Sequence, residues 1–278
     1  MEFRTIVPIE KAPFQIEPLE EMLFVGSCFA DSIGRRFVED KFRAVVNPFG
    51  VMYNPASILH TVERCDIAPQ TAVFTLGTNH VYRLKETGEI VDNCEKRPAR
   101  LFEEEELSIE ACADYLGRAI DLLRQRRPDV RIILTVSPIR YRKYGYHDSQ
   151  LSKATLLMAI DKILSSHPIP EHHPSTNSHS HLSSLAYFPA YEIMMDELRD
   201  YRFYADDMLH PSTQAVEYIW QRFGEMFFSE RTQQFLREWS PIKAALGHRP
   251  FNPDSDEYRT FLADARAKEA ALISRYSQ

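Results

Sequence analysis

The chain has 278 residues, 44% of them hydrophobic and 26% charged, and a formal net charge of −7. Those values suit a folded globular chain and exclude a disordered or collagen-like one. An acidic chain with no long basic stripe is a poor match for a phosphate backbone, so nucleic acid is not an expected partner. No apolar run approaches the roughly 18 residues that cross a bilayer. The N-terminal MEFRTIVPIEKAPF breaks its apolar residues with charge and proline, unlike a secretory leader. No membrane partner is expected, and the chain reads as cytoplasmic.

In chain order, short apolar runs alternate with amphipathic stretches, the pattern of an α/β sheet. Met22 to Val25, closed by Gly26, reads as a buried strand, and Phe29, Ile33 and Phe37 as the buried stripe of a helix. Ala44-Val45-Val46 is a second strand, leading into the turn-rich Asn47-Pro48-Phe49-Gly50. Ala72 to Leu76 is a third, and His80–Leu84 with Glu89–Val91 reads as a small hairpin insertion. Ile109, Cys112, Leu116, Ile120 and Leu123 mark a helix closed by Pro128, followed by the strand Arg131–Val136. A helix over about Ser149–Ser166, a late strand from Leu185 to Phe188 and a short helix from Tyr191 to Leu198 come next. Ser212 suits the N-cap of a helix that buries Val216, Ile219, Phe223 and Phe227. The expectation is a single domain over 1–278, with a core over about 20–230 and a helical extension over about 231–278.

Cys28, Cys65, Cys94 and Cys112 form no C-x-x-C pair, so four reduced thiols are expected. His167, His172, His173, His179 and His181 crowd one segment, and His179-x-His181 would suit two ligands on a strand. The surrounding Ser and Pro read as loop instead, and no metal is expected. No G-x-x-x-x-G-K-[ST], G-x-G-x-x-G or H-E-x-x-H occurs, so no cofactor is expected either.

Two features could carry chemistry. Gly26-Ser27 sits at the carboxyl end of the first strand, where open α/β sheets gather ligand-facing residues. Ser27 is either a nucleophile beside helix amides or simply a helix cap. Asp207-Met208-Leu209-His210 precedes the last core helix. In a D-x-x-H pair the carboxylate can turn back onto one imidazole nitrogen, leaving the other free to take a proton. The neighbouring Asp206 is expected to be solvated or paired with Arg202. Cys28 is a second nucleophile candidate at the helix start, with its side chain expected to point away from that of Ser27.

Gly26-Ser27-Cys28-Phe29-Ala30 spells the motif of the GSCFA family, which this chain resembles over most of its length. Asn47-Pro48-Phe49-Gly50, Gly88-Glu89-Ile90-Val91, Asn93-Cys94, Ser137-Pro138, Gln150-Leu151-Ser152-Lys153-Ala154 and the Asp207/His210 block extend the match. The family is similar to the SGNH (GDSL-like) hydrolases. The resemblance implies a flavodoxin-like three-layer α/β/α sandwich with a mostly parallel sheet. It also implies a serine esterase or O-acyl hydrolase, with Ser27 as nucleophile, His210 as base and Asp207 as its orienting acid. Gly50 would donate a backbone N–H to the oxyanion, and Asn79 of Gly77-Thr78-Asn79 its side-chain amide. The substrate would be a small-molecule or carbohydrate ester, and an acceptor alcohol in place of water would make the enzyme an O-acyltransferase. The alternative is a non-catalytic ligand-binding module on the same fold. Two departures are visible: Glu95 follows Asn93-Cys94 where GSCFA sequences often have His, and His80 follows Asn79 where the SGNH pattern has Asp.

Overall fold

A computed structural model of the chain describes residues 4–92, 94, 96–166 and 184–277. The histidine-rich segment and Glu95 therefore lie outside the described residues.

Five strands make the central sheet: β1 (Glu21–Gly26), β2 (Arg43–Val46), β3 (Thr71–Leu76), β7 (Arg131–Val136) and β8 (Leu185–Tyr187). Their order is β2-β1-β3-β7-β8 and every pairing is parallel. The central strands are buried on both faces because their side chains alternate between two separate cores. Leu23, Val25, Ala72, Phe74, Ile132 and Leu134 enter one core; Met22, Phe24, Val73 and Ile133 enter the other. Helices α2 (Pro55–Arg64), α3 (Ile109–Arg126) and α4 (Tyr146–Ser166) cover the first face. Helices α1 (Cys28–Glu39) and α6 (Thr213–Phe227) cover the second through an aromatic cluster in which Phe37 meets Phe24, Trp220 and Phe223. The three-layer α/β/α expectation is met.

The expected hairpin is part of a three-stranded antiparallel sheet. β4 (His80–Leu84) pairs with β5 (Ile90–Val91) on one side and with β6 (Phe102–Glu106) on the other. The expected helix from Tyr191 to Leu198 is a single α-turn, α5 (Ala190–Glu192), running into a π-turn over Ile193–Glu197. Beyond the core, α7 (Glu230–Leu246) and α8 (Asp256–Tyr276) pack together around Phe235, Trp239, Leu272 and Tyr276. Trp239 Nε1 and Lys243 Nζ fasten α7 to the end of α1, at Glu39 O (3.2 Å) and Asp40 Oδ1 (2.8 Å).

Gly26 fixes the exit from β1. Its φ is +145°, and a Cβ there would lie 2.2 Å from the carbonyl oxygen of Thr75. Gly26→Ala is expected to destabilise the fold by at least the roughly 1–3 kcal/mol of backbone strain alone, measured by urea unfolding. An unchanged transition would mean that this turn relaxes freely.

Candidate active site

The β1–α1 turn presents Ser27, which has extended backbone geometry and caps α1 by accepting the N–H of Phe29 on its Oγ at 3.2 Å. The same Oγ lies 3.0 Å from Thr75 Oγ1 on β3, and the Ser27 N–H donates to Thr75 O at 3.0 Å. The β2–α2 loop holds Gly26 from the other side. Asn47 Oδ1 accepts the Gly26 N–H at 2.9 Å, and the Gly26 carbonyl accepts the N–H of Met52 at 2.8 Å. Asn47 itself takes the left-handed conformation, with φ +40°. The Asn-Pro-Phe-Gly stretch therefore holds the Gly26-Ser27 turn through its asparagine, a role that spacing along the chain did not disclose.

The second element of the site is the loop before α6. Asp207 Oδ2 lies 2.5 Å from His210 Nδ1, while Asp207 Oδ1 accepts the N–H groups of Leu209 (2.8 Å) and His210 (2.9 Å). Met208, at φ +59°, makes the tight turn that brings carboxylate and ring together. The backbone N–H of His210, its ring and the N–H of Leu209 hold the Asp207 carboxyl down at about 2. Arg140, after β7, donates its N–H to Leu209 O at 3.0 Å and braces the loop. Asp206 is exposed, and Arg202 pairs with Asp200 (2.8 Å) instead of with Asp206.

Ser27 and His210 line one cleft of about 360 Å³. It opens at the carboxyl ends of β1, β3 and β7, beside the point where the strand order reverses, the usual ligand crevice of such sheets. Among the described residues Ser27 Oγ makes no hydrogen bond to His210; the hydroxyl is turned toward Thr75. Cys28 lines the same cleft, and its Sγ lies 3.7 Å from Tyr53 Oη, whereas the Ser27 hydroxyl meets Thr75.

The two expected oxyanion donors are placed elsewhere. The Gly50 N–H closes its own turn onto Asn47 O at 2.9 Å, and Gly50 is exposed. Asn79 is buried, and its Nδ2 donates to Leu107 O at 2.8 Å, tying the β3–β4 connection to the start of α3. Neither residue lines the cleft. Asn79→Ala is thus expected to cost about 1–3 kcal/mol by orphaning a buried carbonyl, with kcat little changed. A fall of about 10²–10³ in kcat would return Asn79 to oxyanion duty.

A third contribution comes from α4, through residues of the Gln-Leu-Ser-Lys-Ala stretch. Ser152 Oγ accepts the Asn79 N–H at 3.0 Å. Lys153 is 2% exposed, lines the cleft and donates to the Ser137 carbonyl at 2.9 Å. Burial pushes its ammonium down to about 7. No cluster of His, Cys, Asp and Glu among the described residues could hold a metal ion, and no described helix is long and apolar enough to cross a membrane.

The parallel β2-β1-β3-β7-β8 order, with a serine after β1 and an Asp-His loop before α6, defines a flavodoxin-like α/β/α protein with its cleft at the switch point. The GSCFA family profile matches residues 21–70 and 68–223, and the C-terminal domain of GSCFA domain proteins matches residues 239–278. The chain belongs to the GSCFA family. No curated protein matches it. Among solved structures it is similar to an acetyl esterase mutant with an acetate ion (13% identity, TM-score 0.40, 73% of this chain and 94% of that one). It is also similar to a carbohydrate esterase of family 3 from Talaromyces cellulolyticus (10%, 0.37, 73% and 94%). A third is a family two carbohydrate esterase from Clostridium thermocellum in complex with cellohexaose (11%, 0.40, 81% and 66%).

Proposed function

We propose that the protein is a serine hydrolase that cleaves an ester or O-acyl bond through an acyl-enzyme. The observation that carries this reading is the Asp207–His210 contact of 2.5 Å on a loop whose histidine shares a cleft with Ser27. Ser27 Oγ attacks the acyl carbon as His210 Nε2 takes its proton, and Asp207 supports the resulting imidazolium. The tetrahedral intermediate collapses as His210 returns the proton to the leaving alkoxide. Water then releases the acyl group from Ser27; an acceptor alcohol in the same step gives O-acyl transfer.

With Gly50 and Asn79 committed elsewhere, the oxyanion falls to the start of α1. The Cys28 N–H is the first of that helix, where amides lack intrahelical acceptors.

A fluorophosphonate probe tests the reading. Wild-type protein is expected to be labelled, with the adduct on Ser27 by peptide mapping. Folded protein that resists labelling would instead support a binding module. Inactivation by iodoacetamide in wild type but not in Cys28→Ala would move the chemistry to the thiol.

A further inference from the structure

The cleft is cationic on an acidic protein. Arg140, Arg142, Lys143 and Lys153 line it, and no carboxylate does among its described lining residues, although the chain carries a net charge of −7. Lys143 is paired with Glu104 at 3.0 Å, whereas Arg142 has no ion-pair partner among the described residues.

The deepest of the four is the most informative. Lys153 Nζ has three donors and uses one, on Ser137 O; the Tyr191 ring lies 5.6 Å away, and no carboxylate comes within ion-pair reach among the described residues. A buried ammonium is ordinarily paired, because desolvating a lone charge is costly. Its lowered pKa reflects that burial alone, uncompensated by any anion. Beside it, Ser137 is fully buried, its Oγ has no hydrogen-bond partner among the described residues, and it lines the same cleft. Two adjoining buried polar groups, on residues that line the cleft Ser27 and His210 share, thus keep unused hydrogen-bonding capacity. Packing does not account for this arrangement. A methionine would fill the same volume without the desolvation cost.

We infer that the cleft's ligand carries a compact anionic group, a carboxylate or a phosphate, seated on Lys153 Nζ and Ser137 Oγ. On the reading of Ser27 and His210 given above, that ligand is an anionic ester. The seat makes Lys153 a specificity residue, because a buried ammonium gains far more from an anionic acceptor than from a neutral one.

Two arms test this, and the first needs no turnover. Succinate, inorganic phosphate and neutral acetamide are titrated calorimetrically into Ser27→Ala protein, with and without Lys153→Met. At least one anion is expected to bind more tightly than acetamide, by about 10- to 100-fold, and to lose that advantage with Lys153→Met. Which anion wins distinguishes carboxylate from phosphate. The second arm compares kcat/KM for 4-nitrophenyl hydrogen succinate and 4-nitrophenyl butyrate. Wild type is expected to favour the succinyl ester by a similar factor, with the ratio falling to about one in Lys153→Met. Because Lys153→Met also leaves the Ser137 carbonyl without its donor, urea unfolding is measured beside binding to show that the variant is folded. Should that variant fail to fold, Ser137→Ala serves, with a several-fold loss of anion affinity expected. Equal binding of anions and acetamide to Ser27→Ala protein overturns the inference. Lys153-dependent anion binding without any ester turnover in wild type upholds the anion seat and removes the hydrolase reading instead.

Discussion

Ser27→Ala is expected to reduce kcat on small acyl esters such as 4-nitrophenyl acetate by on the order of 10⁵–10⁶, because no acyl-enzyme can form without the hydroxyl. The same substitution also has a structural cost. Ser27 Oγ caps α1 through Phe29 and contacts Thr75 Oγ1, so a loss of about 1 kcal/mol in unfolding free energy is expected alongside. The two effects separate cleanly in size and in assay. A capping role alone predicts a slightly less stable protein that turns over normally, because α1 frays without moving the cleft. Steady-state rates and urea unfolding on one preparation decide it: an active, destabilised Ser27→Ala ends the catalytic reading.

Where the chain is buried on both faces, its elements are legible from composition. The run Ile132-Ile133-Leu134 can satisfy its backbone only in a ladder and its side chains only between two layers. Strand β6 is different. Phe102 is followed by four glutamates, a run with no strand periodicity, and they pair with β4 in a small sheet that leaves most of them in solvent. Helix α2 had its start signal in view, with Asn54 as N-cap and Pro55 in the first turn. The turn-rich Asn47-Pro48-Phe49-Gly50 lies just upstream, and the expected elements include no helix between it and the third strand.

The site divides in the same way. Asp207 and His210 are legible because three residues of one loop set their distance, whatever the rest of the fold does. Ser27 is legible from the strand it terminates. The oxyanion donors are not, because an amide's availability depends on which carbonyl reaches it first. Asn47 O takes the Gly50 N–H and Leu107 O takes the Asn79 side chain, and no spacing along the chain encodes either capture. The place of Lys153 at the cleft is not legible for a related reason. A lysine in a helix usually faces water, and only the packing of α4 against the carboxyl end of β7 places this one beneath Ser137.

Asp207→Asn is expected to lower kcat by on the order of 10⁴, and Asp206→Asn to change it little. The argument runs through the two oxygens of Asp207. Oδ1 accepts the N–H groups of Leu209 and His210, so an asparagine keeps its oxygen there and turns its Nδ2 toward the ring. That nitrogen donates, and His210 Nδ1 must then accept. The ring proton moves to Nε2, where a base is needed, and Ser27 has nothing to receive its proton. Asp206 makes no such contact and sits exposed. The carboxylate also sets the sign of the acid response. Its pKa is lowered to about 2, below the unfolded value near ~3.9. The stability it contributes is therefore present above pH ~4 and lost as pH falls toward about 2. Any loss of rate between pH 7 and pH 4 consequently belongs to a group other than Asp207. Rates for both variants across that range, with circular dichroism to show intact folding, decide the assignment. Equal losses in the two, or a larger loss in Asp206→Asn, would place the orienting acid elsewhere.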